Sequence, residues 1–208
     1  MPDNDHKNAP ASYPVMEHFY TLQGEGYHQG RAAYFIRLGG CDVGCVWCDV
    51  KASWQADAHP RMTSEQLVRA VRTTPAQIVV ITGGEPLLHN LDELTGALRQ
   101  AGLRTHLETS GAHPLSGQWD WICLSPKKFK APLPEIPAAA QELKVVIFHP
   151  SDFTWAEAYA ARVAPACRLY LQPEWDRAAA MTPLIINYIM EHPGWELSLQ
   201  VHKYVNIP

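Results

Sequence analysis

The chain has 208 residues, 47% of them hydrophobic, and a net charge of −4 from 17 basic and 21 acidic side chains. That length suits one domain with a sizeable core, and the charge balance excludes a bulk basic footprint for nucleic acid or an anionic membrane. No apolar run approaches the ~20 residues of a membrane-spanning helix, so a cytoplasmic protein with no direct nucleic-acid or membrane partner is expected.

The N-terminal stretch MPDNDHKNAPAS is polar and lacks a hydrophobic signal core. A disordered leader is expected over 1–13 and a single domain over 14–208. Apolar, β-rich runs at 33–38, 77–82, 104–108, 121–124, 143–148, 168–172 and 195–201 predict strands. Several are almost unbroken hydrophobic runs, the pattern of a parallel sheet covered by helices. Between them, Thr63 and Gln66 form a capping-box pattern ahead of Leu67, Val68 and Val71. Asn90 can cap a helix carrying Leu91, Leu94 and Leu98, which Gly102 would stop. Further helices are expected near 154–164 and 177–192. Repeated βα units predict an α/β fold, and six or seven strands with fewer helices favour a partial, open TIM-barrel-like parallel sheet.

Polar signatures follow the strands: TGGEP (82–86), ETSG (108–111), SPK (125–127), QPEW (172–175) and HKY (202–204). Parallel sheets bind ligands at the C-terminal edge of their strands, so five signatures there describe one site. Glu108 and His202 are expected to line it, and no acid or base role is assigned to either.

Residues 41–48 read CDVGCVWC, three cysteines spaced C-x3-C-x2-C. Five cysteines in a reducing compartment fit metal binding better than disulfides. Cys123 and Cys167 lie in apolar contexts and are expected to be buried small hydrophobes. Three close thiolates admit two readings. One is structural zinc with His28 or His59 as fourth ligand. The other is a 4Fe–4S cluster with one iron left open.

The cysteine spacing, with Trp47 before the last cysteine, resembles the cluster loop of radical S-adenosylmethionine enzymes, and TGGEP resembles their glycine-rich segment beside the methionine end of the cofactor. The resemblance implies a 4Fe–4S cluster on Cys41, Cys45 and Cys48 whose open iron is chelated by S-adenosylmethionine, the source of a 5′-deoxyadenosyl radical. FYTLQGEGYHQGRAAYFIRLGGC (19–41), CDVKASW (48–54), ETSG, SPK and the terminal QVHKYVNIP are more specifically similar to the 7-carboxy-7-deazaguanine synthase family. That likeness runs from about residue 15 to the end of the chain. The family converts 6-carboxy-5,6,7,8-tetrahydropterin to 7-carboxy-7-deazaguanine with loss of ammonia, on the route to queuosine in tRNA, and reuses its cofactor.

By the same resemblance, Trp47, Cys48, Asp49, Gly84, Ser125, Pro126, Lys127, Gln172, Pro173, Glu174 and Trp175 are expected to contact the cofactor. Leu22, Gln23, Gly24, Arg37, Thr82 and Pro208 are expected to contact the substrate. Arg37 also stands out unaided, since an unpaired guanidinium in an apolar strand is costly. It suits a substrate carboxylate or an internal salt bridge. Gln23 offers donor and acceptor to a pterin edge or a loop hydrogen bond. Family members commonly carry Thr or Ser after the Cys-Asp pair, as a magnesium ligand, where this chain has Val50. A hard cation wants oxygen ligands, so any magnesium would rely on water, substrate, Asp49 or Ser53. A flavodoxin or ferredoxin reductant and a homodimer are also implied. The competing readings are a glycyl-radical-enzyme activase and a zinc-stabilised binding module.

Overall fold

The computed structural model describes residues 10–208. The elements in chain order are β1 (Ser12–Leu22), β2 (Ala32–Leu38), β3 (Arg61–Thr63), α1 (Ser64–Arg72), β4 (Ile78–Gly83), α2 (Asp92–Gln100), β5 (Arg104–Thr109), β6 (Trp121–Leu124), α3 (Ile136–Ala139), β7 (Glu142–Ile147), α4 (Asp152–Ala160), β8 (Arg168–Pro173), α5 (Ala178–Glu191), β9 (Trp195–Leu197) and α6 (Val201–Val205). They form one open sheet in the order β3-β1-β2-β4-β5-β6-β7-β8-β9. From β2 through β4 to β9 every pairing is parallel, as expected of a partial barrel. The β3-β1-β2 edge is antiparallel, so the sheet is not parallel throughout.

Three expectations need correction. The leader was placed over 1–13, yet Ser12 and Tyr13 already belong to β1, and Tyr13 is buried against the first core; residues 1–9 lie outside the described residues. Strand β1 itself has no counterpart among the expected elements. Its alternation is broken by a register shift between Val15 and Glu17, which hides a period-2 pattern. The strand expected over 195–201 ends at Leu197, and Val201–Val205 is helical. Continuing β9 would set it beside Pro173, which has no N–H to give the ladder.

Most local signals elsewhere act as written. Thr63 Oγ1 accepts from Gln66 N at 3.3 Å while Gln66 Oε1 accepts from Thr63 N at 2.8 Å, so the capping box is complete. Gly102, at φ 80°, follows the end of α2 as expected, but Asn90 is not that helix's cap: Leu91 holds that position without a side-chain bond, and Asn90 Oδ1, one residue earlier, accepts from Asp92 N at 2.9 Å in a local turn.

Strand β4 is buried on both faces, which explains its unbroken apolar run. Val79 and Ile81 join Leu67, Val71, Leu94 and Leu98 of α1 and α2 in one core. Farther along, Leu143, Val145 and Ile147 pack with Ala156, Tyr159, Met181 and Ile185 of α4 and α5. The inner face changes character along the strands. Phe35 and Val80 give way to Arg37 and Thr82, His106 to Glu108, and Tyr170 to Gln172, each pair two residues apart and so on one face. The sheet therefore delivers its polar groups to the C-terminal edge.

Candidate active site

The cysteine loop leaves β2 through Gly39 and Gly40 and is tied down by its backbone. Gly40 N donates to Ser53 O at 2.6 Å, Cys41 N to Trp54 O at 3.1 Å, and Glu85 N to Gly40 O at 2.8 Å. Val43 and Cys45 pack on Ala112, with Cys41, Trp47 and Cys48 around them. All three cysteines face one cavity of about 230 Å³. Burial raises the Cys41 thiol and pushes Cys45 up to about 11, so these thiols await a positive centre to deprotonate them. Among the described residues no three His, Cys, Asp or Glu side chains converge on a point that one ion could occupy. A cubane, with its irons at separate corners, asks instead for thiolates that stand apart. The proposed zinc partners lie elsewhere: His59 Nε2 is 2.9 Å from Ala52 O, and His28 packs against His106 and Trp121.

The TGGEP turn sits against this loop. A Cβ at Gly84 would fall within the Gly40 carbonyl oxygen and 2.7 Å from Cys41 Cβ, so only glycine allows the approach. Glu85, fully buried, was not singled out by its sequence context, yet its carboxylate fastens two strand-end motifs together. It accepts from Leu87 N at 3.0 Å, Thr109 Oγ1 at 2.6 Å and Ser110 N at 2.8 Å. The thiol set and this glycine cradle fit a 4Fe–4S cluster with S-adenosylmethionine beside it.

The other strand ends complete the wall. Ser125, Lys127, Gln172, Pro173, Glu174 and Trp175 line the same cavity, as do Trp47, Asp49 and Gly84. Lys127 Nζ donates to Ser125 O at 2.7 Å and stands 5.7 Å from the Trp47 ring centroid. Pro126 is buried beside them without reaching the cavity. Cys123 is buried as expected, whereas Cys167 is only half-buried, ahead of β8 where the sheet has not yet covered it.

A second lobe of about 150 Å³ adjoins the first and is lined by all six residues expected on the substrate side, Leu22, Gln23, Gly24, Arg37, Thr82 and Pro208, and by His202. Arg37 and Thr82 line both lobes, together with Asp49, Val50 and Glu108. Glu25 and Gln200, not picked out beforehand, share that seam. Arg37 makes the expected salt bridge, its Nε donating to Glu17 Oε1 at 2.6 Å, and the residue also borders both lobes.

The second lobe is closed by the end of the chain. Val201 N donates to Gly24 O at 2.9 Å, and a Cβ on Gly24 would come 2.8 Å from His202 Cβ. Lys203 Nζ donates to Asp49 Oδ2 at 2.7 Å and lies 4.9 Å from the Trp175 ring centroid. Asn206, left-handed at φ 54°, turns the chain so that Pro208 reaches the lobe. His202 is therefore on α6 rather than at a strand end. Around Val50, oxygen ligands are scarce: Ser53 Oγ donates to Val50 O at 2.7 Å and faces neither lobe, and Asp49 is held by Lys203. These residues do not form a ready magnesium site.

An open parallel sheet with three thiols and a glycine cradle at its C-terminal edge defines a radical S-adenosylmethionine enzyme, and residues 35–125 match the Radical SAM superfamily. The chain is 54% identical to 7-carboxy-7-deazaguanine synthase of Flavobacterium psychrophilum, over 94% of this chain and 92% of that protein. It is 53% identical to the synthase of Synechocystis, over 94% of each. The crystal structure of QueE from Escherichia coli superposes with a TM-score of 0.82 at 33% identity, covering 92% of this chain and 95% of that one. The chain belongs to the 7-carboxy-7-deazaguanine synthase family.

Proposed function

We propose that this chain is a radical S-adenosylmethionine lyase that converts 6-carboxy-5,6,7,8-tetrahydropterin to 7-carboxy-7-deazaguanine with loss of ammonia, in queuosine biosynthesis. The observation that carries this reading is the division of one cavity into a lobe of thiols and glycine and a lobe of Gln23, His202 and Pro208, meeting at Arg37, Thr82 and Glu108. A bound cluster with S-adenosylmethionine supplies the radical. The chain supplies position and water exclusion. Arg37, steadied by Glu17, presents a cation to a carboxylated substrate at the seam. Gln23 Oε1 accepts from Glu25 N at 3.1 Å, which orients its amide NH₂ toward Glu108 Oε1 at 3.3 Å. The α6 lid and Pro208 close the substrate side.

The family likeness further implies a flavodoxin- or ferredoxin-type reductant and a homodimer. No helix among the described residues is long and apolar enough to cross a membrane, which accords with a cytoplasmic setting. With Val50 in place of a hydroxyl, magnesium dependence is weaker than in relatives bearing Thr or Ser there.

The test is an anaerobic incubation of cluster-reconstituted protein with S-adenosylmethionine, reductant and 6-carboxytetrahydropterin, read by mass spectrometry with and without magnesium. The expected product is 7-carboxy-7-deazaguanine in both samples. Deoxyadenosine without that product would refute the substrate, and a full cluster with neither would refute the enzyme reading.

A further inference from the structure

Lys144 is the second residue of LKVVIF, an otherwise apolar run on β7, and only 4% of it is exposed. Taking an ammonium out of water is expensive, and replacing a buried ion cluster by apolar side chains is often neutral or stabilising. Fold stability therefore does not account for it. Its surroundings do. Lys144 Nζ donates to Glu25 Oε2 at 2.6 Å and to Glu108 Oε2 at 3.0 Å. The remaining oxygen of each carboxylate is taken by an amide: Gln200 Nε2 donates to Glu25 Oε1 at 2.9 Å, and Gln23 Nε2 to Glu108 Oε1. Every carboxylate oxygen has one donor and keeps a further lone pair. Both carboxylates stand on the seam between the two lobes.

We propose that Lys144 is a positioning residue for the reaction: it holds Glu25 and Glu108 side by side at the seam, so that the N–H-rich edge of the pterin meets two fixed acceptors. This rests on the pterin reading above. The cluster also joins the substrate loop, β5, β7 and the segment before α6, so a substrate engaging the two acceptors draws the C-terminal lid into register. The groups facing Lys144 are Glu25, Glu108, Glu142, Cys123, Lys127 and His202. Three of these are carboxyl groups, burial keeps the Cys123 thiol protonated, and Lys127 and His202 are the basic groups. Burial alone would raise Glu25, but the charge and hydrogen bond of Lys144 outweigh it and hold the carboxyl at about 2. Without the lysine, burial raises the Glu25 carboxyl, which then keeps its proton to higher pH.

The experiment compares the wild-type protein with Lys144→Met, Lys144→Arg and Glu25→Gln. It measures binding of 6-carboxypterin by calorimetry from pH 5 to 9, and product formation. Binding by the wild type comes first; its absence would refute the pterin reading rather than the role of Lys144. In Lys144→Met, binding falls about 10-fold and turnover about 100-fold. Binding in that variant also recovers as pH rises. Lys144→Arg keeps the charge and stays within about 10-fold of wild type. If Lys144→Met fails to fold, Glu25→Gln retains the lysine and one of its partners, and binding about 10-fold weaker is expected. Binding within 3-fold of wild type and unchanged in pH profile, in Lys144→Met or, failing that, in Glu25→Gln, would overturn the proposal.

Discussion

The two lobes of the cavity are built by opposite strategies. The cofactor side is assembled from strand ends, each a short contiguous motif (TGGEP, ETSG, SPK, QPEW) locked to its neighbour by backbone hydrogen bonds and the buried Glu85. The substrate side is assembled from distant parts of the chain: residues 22–26 from the turn after β1, and residues 198–208 from its end. Ser198 Oγ joins them, accepting from Gly26 N at 3.0 Å and donating to Gln172 Oε1 at 2.7 Å. A rigid edge therefore holds the radical chemistry, and a stitched-on cover selects what it acts upon.

The largest effect is expected where that rigid edge leaves least room. Gly84→Ala drives a Cβ into the Gly40 carbonyl and toward Cys41, and backbone cannot yield as a flexible side chain would. Displacing the cluster loop by a fraction of an ångström should cost about 100-fold or more in every activity, including deoxyadenosine formation without substrate. Iron content and the electron paramagnetic resonance of the reduced protein would show whether the cluster still assembles. A Gly84→Ala protein with wild-type iron and turnover would mean the cradle is not the constraint it looks.

The cover should fail differently. Gly24→Ala drives a Cβ against the His202 side chain and so pushes α6 off the substrate loop. Displacing that lid from the substrate predicts a fall of about 10- to 100-fold in kcat/KM. Substrate-free cleavage of S-adenosylmethionine should be unchanged. If both reactions fall together, the two lobes are not separable and the contrast drawn above is mistaken.

The same contrast explains what was legible in the sequence. The cofactor lobe could be read almost entirely, because each motif carries its own strand, turn and polar group within five residues. Helix signals such as Thr63–Gln66 and Gly102 were equally local. What escaped was long-range. Lys144 finds Glu25 119 positions away, and nothing in LKVVIF announces that partner. The segment VHKYV carries the β-branched and aromatic residues of a strand, but docking of Val201 on Gly24 and the missing donor at Pro173 make it a helix. Tertiary contact overrode propensity there. Glu85 was visible as a letter in TGGEP, though its four donors come partly from a motif 24 residues on.

Val50 sharpens the comparison because it lies on the seam, belonging to both lobes. Val50→Thr adds an oxygen at the one place where the local ligand set lacks it. A severalfold gain in magnesium stimulation of turnover is expected, with substrate-free cleavage unaltered. An unchanged magnesium response would show that the missing hydroxyl is not what sets the dependence.

The smallest effect concerns how the cover is anchored at the opposite end of the strands. Past Gly26, the substrate loop dips to the base of the sheet, where Tyr27 stacks on Trp121 at 4.9 Å and His28 lies 4.5 Å from His106, centroid to centroid. Among the described residues neither ring nitrogen of His28 has a hydrogen-bond partner. Burial, with Arg31 and Arg104 nearby, lowers His28 to about 4, and burial with His28 and Arg104 lowers His106 to about 4. Both are neutral when folded but take protons near pH 6.5 once unfolded, so the unfolded chain binds more protons between those values. Stability is then complete above about pH 6.5 and is lost as pH falls toward about 4. His28→Leu removes one of the two groups and the unmet polar atoms with it. A gain of about 1 kcal/mol, or ~2–4 °C for a chain of this size, should be larger at pH 5 than at pH 8, with KM for the pterin little changed. Thermal melts at the two pH values decide it: an equal shift at both would mean that His28 takes up its proton in the folded chain as readily as in the unfolded one, the base of the sheet being wetter than its packing implies.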